Sequence, residues 1–160
     1  MSDTKIRTQS ATRILKEDHR KVKGLFSDYA ALGEGSGAGK MHLFMQLKRE
    51  LTIHSRIEEE IFYPSIQQDE EDDPETQELL SEALEAHGVV KRLLHNLSSL
   101  TPEDEEFDAM IQALQECVIR HVEEEERELF PCFEHLASEE QDDLSERLRL
   151  LKLDLTEEYE

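Results

Sequence analysis

His54-Ser55-Arg56-Ile57-Glu58 and His121-Val122-Glu123-Glu124-Glu125 each place an imidazole and a carboxylate four residues apart. On a helix that spacing puts both groups on one face, about 6 Å apart, so each stretch can offer a nitrogen and an oxygen to one cation. A lone histidine precedes each stretch: His19 stands 35 residues before His54, and His87 stands 34 before His121. The pattern is written twice. His121 minus His54, Glu125 minus Glu58 and Pro131 minus Pro64 all equal 67, while His87 minus His19 is 68. The context repeats as well, Ile61-Phe62-Tyr63-Pro64 answering Glu128-Leu129-Phe130-Pro131. Two helical hairpins related by a pseudo-twofold axis give such a duplication.

Positioning these groups requires long helices, and apolar residues recur at helical spacing in four segments. The first, 10–32, carries Leu15, His19, Val22 and Phe26 on one stripe and ends at the glycine-rich 33–39, which no helix keeps in its interior. The second, 40–66, stacks Phe44, Leu47, Leu51, His54, Glu58 and Ile61, and an acidic turn at 69–74 stops it. The third, 74–100, aligns Leu80, Leu84, His87, Val90, Leu94 and Leu97. Thr101 then reads as an N-cap with Pro102 at the first helical position. The fourth segment stacks Phe107, Ile111, Leu114, Val118, His121, Glu125 and Leu129 until Pro131 kinks or ends it. Short connections make consecutive helices antiparallel, which predicts an all-α, up-down-up-down four-helix bundle over about 10–136. A fifth helix, about 138–157, starts at Ser138 as N-cap and repeats Leu144, Leu148, Leu151 and Leu155. It could cover the bundle or make a homodimer contact. The whole chain, 1–160, is expected to be one domain.

Counting from the two bundle loops at 1.5 Å per residue puts all four histidines roughly 25 Å from the same end, in one layer. Glu58 and Glu125 lie one turn beyond it, on helices that run in the same direction. A carboxylate has two oxygens and can bridge two cations. Four imidazoles and two bridging carboxylates thus give each of two metals two nitrogens and two shared oxygens, with open positions left for a small ligand. All six groups occupy stripe positions otherwise filled by Leu, Ile, Val and Phe, and burying that many polar groups unpaired would consume the stability of a small domain. Coordination offsets the cost. One histidine on an apolar face is ordinary core; six groups in register read as a two-metal site. A single-metal site or a polar layer holding water are the lesser readings. Imidazole with carboxylate suits iron, zinc or manganese.

Composition narrows the partners. A formal net charge of -21 repels phosphate backbones and anionic membrane surfaces, so no nucleic-acid or membrane partner is expected. No apolar run approaches the roughly 18 residues of a membrane span. Residues 1–8 lack the apolar centre of a signal peptide, which predicts a cytoplasmic protein. Cys117 and Cys132 are read as reduced thiols.

These residues resemble the hemerythrin-like family, the HHE cation-binding domain. Leu15-Lys16-Glu17-Asp18-His19, His54-x-x-x-Glu58 with Ile61-Phe62-Tyr63-Pro64, Ala86-His87, and His121-x-x-x-Glu125 with Leu129-Phe130-Pro131 carry the resemblance over most of 10–136. It implies a four-helix bundle holding a non-haem di-iron centre, with His19, His54, His87 and His121 as terminal ligands and Glu58 and Glu125 as bridges. Two iron ions with an oxo or hydroxo bridge are the implied cofactor. The oxygen carriers of marine invertebrates have two histidines one turn apart on the third helix, where this chain has Ala83 and Lys91 beside His87. Five residues after their last histidine they carry an aspartate; here Glu126 stands there. In this respect the chain looks more like the bacterial members linked to nitric oxide, peroxide and iron–sulfur repair.

The expected function is therefore binding of O2, NO or peroxide in sensing or stress response. An enzyme acting on peroxide or nitric oxide, or in iron–sulfur repair, is the second class; a structural zinc or iron-storage module is the third. His42, His95 and His135 are not expected to be ligands. Glu59, Glu60, Glu123, Glu124, Glu126 and Glu128 read as a solvated face. Glu50 and Cys117, one turn before a ligand histidine, could line the open side of the site, though Cys117 reads first as a small buried hydrophobe. Tyr29 and Tyr63 fall off the inward stripe and receive no role.

Overall fold

The computed structural model describes residues 9–160; the stretch 1–8, read above as lacking a signal-peptide core, lies outside the described residues. The described residues are helical with no strand. Ser10 Oγ accepts from the Arg13 N–H and starts α1 (Ala11–Leu32). Helix α2 (Gly37–Ile57) continues through a π-helical turn, Glu58–Phe62, into α3 (Tyr63–Asp69). Helix α4 (Pro74–Leu97) follows, and α5 (Glu105–Glu124) continues through a second π-helical turn, Glu125–Leu129, into α6 (Phe130–Glu134). Helix α7 (Ser138–Glu158) closes the chain. The expected four-helix bundle with a further C-terminal helix is the fold observed.

Local boundaries differ from the sequence reading where side chains compete for the backbone. Among the described residues only Gly33 and Gly35 take positive φ, at 65° and 87°, so the turn is short and Gly37 and Gly39 already belong to α2. A Cβ on Gly39 would stand 2.8 Å from Ser36 Oγ and 3.2 Å from Leu32 Cδ1, two side-chain ends that would have to swing away from it. Thr101 does not cap α5. Asp104 Oδ2 accepts its N–H at 2.7 Å, folding 101–104 into a turn and leaving Asp104 as the N-cap. Ser138 is the first helical residue after the N-cap Ala137, and the turn before it is held by Gln141 Nε2, which donates to Leu136 O and Glu134 O. On α4 the inward register takes Ala83, 5% exposed, in place of Leu84, which faces solvent at 49%.

Two apolar clusters fill the bundle, one on each side of the layer that holds the histidines. At the loop end Phe26, Phe44, Phe107, Leu47, Leu97 and Leu114 pack together; at the other end Leu15, Ile57, Phe62, Ile66, Phe130 and Phe133 do so. Tyr29 belongs to the loop-end cluster, its hydroxyl donating to Asp108, which also pairs with the buried Lys40 at 3.0 Å. Helix α7 lies on α1, α2 and the first π turn, and it buries Leu144, Leu148 and Leu155 in the second cluster while Leu150 and Leu153 face solvent. Among the described residues no helix is long and apolar enough to cross a membrane. Cys117 and Cys132 are free thiols, as expected.

Leu148 is fully buried, so Leu148→Ala should cost about 2–5 kcal/mol. Leu150→Ala, on the exposed side of the same helix, should change stability by less than about 0.5 kcal/mol. Thermal melts followed by circular dichroism check both; equal effects would place α7 off the bundle.

Candidate metal centre

Between the two apolar clusters, His19 from α1, His54 from α2, His87 from α4 and His121 from α5 form one layer, with Glu58 and Glu125 directly beneath. Burial is nearly complete: Glu58 is 0% exposed, Glu125 1%, and the most accessible of the six, His121, 9%. The structure brings together all six residues singled out by spacing.

Their atoms sort into two quartets, His19, His54, Glu58 and Glu125, and Glu58, His87, His121 and Glu125, each with donor atoms within 4.8 Å of one another. Nε2 of His19 and Nε2 of His54 lie 3.2 Å apart, as do those of His87 and His121. Glu58 turns Oε2 to His54 at 3.2 Å and Oε1 to His87 at 3.0 Å. Glu125 turns Oε1 to His19 at 3.2 Å and Oε2 to His121 at 3.4 Å. Each carboxylate therefore presents one oxygen to each imidazole pair, and this arrangement settles which histidines pair.

Whether cations suit these groups is answered by the unpartnered atoms. Glu58 Oε2 and Glu125 Oε1 are buried and accept no hydrogen bond. Asp18 Oδ2 lies 2.9 Å from His54 Nδ1 and Glu126 Oε2 lies 2.6 Å from His19 Nδ1. An ionised carboxylate only accepts, so both Nδ1 atoms carry hydrogen and donate. In the neutral rings each Nε2 then directs a lone pair at a carboxylate oxygen, and two facing lone-pair groups in a low-dielectric interior demand a positive charge between them. A proton or a metal ion supplies it. Nitrogen and oxygen donors without thiolate fit iron, zinc or manganese.

Protonation directions agree. Burial opposes charging the rings, yet the Glu58 charge and the bond to Asp18 hold His54 well above the ordinary imidazole value. His87 is raised by its contacts to Glu58 and Glu59, and His121 is pushed up to about 10 by hydrogen bonds to Glu125 and Glu58, both against burial. Glu58 is held well below the usual carboxylate range, burial being outweighed by His54, Glu125 and His121.

Glu59, Glu126 and Tyr63 depart from the sequence reading. Glu59 and Glu126 are not simply solvated: Glu59 Oε2 accepts from His87 Nδ1 at 2.7 Å and Glu126 from His19, so both orient ligand-bearing rings. Exposure of Glu60, Glu123 and Glu124 is as expected. Tyr63 is buried and its hydroxyl stands inside the second quartet, 3.2 Å from Glu58 Oε1, 3.2 Å from His87 Nε2 and 3.3 Å from His121 Nε2, with a hydrogen bond to Glu125 Oε2. The π turn is the reason. Its closing bond runs from the Tyr63 N–H to Glu58 O, five residues back, so the residue five on from the glutamate returns to the inward face. Phe130 holds the matching place after Glu125 and stacks on the His19 ring at 5.7 Å. Pro64 and Pro131 follow both π turns and are accommodated there: a proline lacks the N–H and its ring crowds the carbonyl four residues back in a regular helix. Hence Pro131 does not end its segment, which runs on to Glu134.

On the loop side of the histidine layer lies a cavity of about 20 Å³ lined mainly by Val22, Leu51, Val90, Val118 and Val122 and by the imidazoles. Glu50 and Cys117, which by spacing could line it, do not: Glu50 pairs with Lys21 at 2.7 Å, and Cys117, read first as a small hydrophobe, packs partly buried against the loop-end cluster with its thiol 4.0 Å from Ala86 O. His42, His95 and His135 are exposed and stand apart from the cluster.

Residues 10–133 match the model of the hemerythrin HHE cation-binding domain. The chain is 33% identical over 129 residues to a DNA nickase of Nostoc sp., covering 80% of this chain and 34% of that protein. It is 27% identical over 125 residues to an uncharacterized hemerythrin-like protein of Schizosaccharomyces pombe, covering 78% of this chain and 60% of that one. The chain thus spans about a third and under two thirds of these relatives' lengths. Its fold matches the crystal structure of an HHE cation-binding domain-containing protein from Mycobacterium kansasii with a TM-score of 0.76 at 24% identity, over 92% of this chain and 87% of that one. Helical bundle, duplicated His/Glu layer and matched residues agree, and the chain belongs to the hemerythrin HHE cation-binding domain family.

Proposed function

We propose that this chain holds two iron ions, one between His19, His54 and the paired carboxylates and one between His87, His121 and the same carboxylates, and that the pair binds a small oxidant. The observation that carries this reading is the division of Glu58 and Glu125, each of which offers one oxygen to each imidazole pair while two buried oxygens accept no hydrogen bond. Tyr63 adds a hydroxyl to the His87 and His121 side. When bound, such a pair of ions supplies Lewis acidity and electrons to a ligand at an open position. The chain's own residues orient the rings, exclude bulk water and bound the ligand's size. A cavity of about 20 Å³ has room for little more than one water-sized molecule, and its valine walls favour a neutral diatomic, O2 or NO. A net charge of -21 argues against a nucleic-acid partner for this chain, and the nickase activity named for the Nostoc relative belongs to a much longer protein.

Purified protein from iron-rich medium should carry two iron ions per chain by elemental analysis. His54→Ala should keep about one, and Glu58→Ala, which removes an oxygen from both quartets, should keep none. Mixing the reduced, loaded protein with O2 or NO should change its visible spectrum at once; zinc would be spectrally silent. Steady turnover of peroxide, lost in His54→Ala, would move the reading to an enzyme.

Iron must displace protons from these rings. The stabilisation of the metal-free fold by the His121 proton is fully present below the ordinary value of 6.5 and is lost as pH rises through about 10. The midpoint of metal-free protein should therefore fall between those limits, that of loaded protein should not, and loading at neutral pH should release protons to a dye. Loading without proton release would contradict the assignment.

Tyr63→Phe should weaken one of the two ions by about tenfold or more and leave the other unchanged, as titration with a competing chelator will show.

A further inference from the structure

Helix α7 lies beyond the stretch that the family model matches, yet one of its side chains enters the set of groups around the histidine layer. Lys152 Nζ stands 2.5 Å from Asp18 Oδ1, and the other oxygen of that carboxylate takes the Nδ1–H of His54 at 2.9 Å. Asp18 is 5% exposed. A similar chain runs from Lys91 through Glu59 to His87, but there the lysine and glutamate side chains are 58% and 26% exposed, against 32% and 7% for Lys152 and Asp18. Water and salt therefore screen the Lys91 contact far more than the Lys152 contact, and only removal of Lys152 leaves a buried carboxylate with the His54 ring as its hydrogen-bond partner.

The reach of Lys152 is also fixed by packing. Leu148 and Leu155, four residues before and three after it, are buried against the bundle and set the rotation of α7. Arg49 of α2 donates to Thr156 O and Tyr159 O, tying the end of α7 to the helix that carries His54. The ammonium is delivered to Asp18 by a docked helix on both counts.

We propose that Lys152 is a positioning residue of the metal centre: by holding Asp18 it fixes the His54 ring with Nε2 turned to the cation site, which makes the C-terminal helix a structural part of that site. This inference rests on the two-ion reading above.

The test uses the full chain loaded with ferrous iron under anaerobic conditions and follows release of each ion to a strong ferrous chelator, for wild type, Lys152→Met and Lys152→Arg. In Lys152→Met, one ion should leave about 10- to 100-fold more readily and the other at the wild-type rate, with a shifted visible spectrum after oxidation and an unchanged helical content of the metal-free chain. Lys152→Arg should restore the slow release and the spectrum. Equal release from wild type and Lys152→Met, acceleration of both ions alike, or failure of Lys152→Arg to restore the slow phase overturns the inference while leaving two-ion binding intact. Wild-type protein that takes up no iron overturns both together.

Discussion

Two carboxylates sit at the centre of an apolar bundle, Glu58 at 0% and Glu125 at 1% exposure, and the rest of the structure is arranged around the positive charge they require. Ionised groups are tolerated there only when paired or coordinated. Four imidazoles face them in one layer, and phenylalanine-rich clusters above and below exclude bulk water from the pair. The long helices and short loops keep that layer at one depth, since a slip of one residue on any helix would carry a histidine about 100° round the axis and out of reach.

The two π-helical turns are the local device that completes the layer. Each begins at a buried glutamate and ends just before the aromatic that precedes a proline, so one widened turn both accommodates the proline and rotates the aromatic inward. Such turns are uncommon and concentrate at functional sites. Here they bring Tyr63 to one imidazole pair and Phe130 to the other, so the duplicated halves share a backbone and differ in chemistry.

Much of this was legible in the residues. The 67-residue offset, the His-x-x-x-Glu stretches and the apolar stripes specified the bundle and the six convergent groups, because an α-helix converts spacing into direction with little ambiguity. What spacing could not show follows from departures from the ideal helix or from groups on neighbouring helices. Counting at α-helical pitch puts Tyr63 off the stripe because it ignores a π turn, although Pro64 and Pro131 directly after the aromatics are the available signal. Glu59 and Glu126 do not stand out from their acidic run, since nothing in a run of glutamates marks the one that a histidine on another helix will meet. Leu84 and Ala83 differ by one step round the helix, and the heptad spacing of Leu80, His87 and Leu94 favours Ala83. Thr101 does not cap α5 because the Asp104 carboxylate accepts the N–H of Thr101 itself and folds the segment into a turn, which moves the N-cap place to Asp104.

The difference between Tyr63 and Phe130 breaks the symmetry that the repeat would otherwise impose. Burial and the Glu125 and Glu58 charges oppose ionisation of the Tyr63 phenol, so it keeps its proton and gives one half of the layer a polar hydroxyl, whereas Phe130 gives the other half a hydrocarbon ring stacked on His19. The molecule therefore has a direction where its sequence repeat has none.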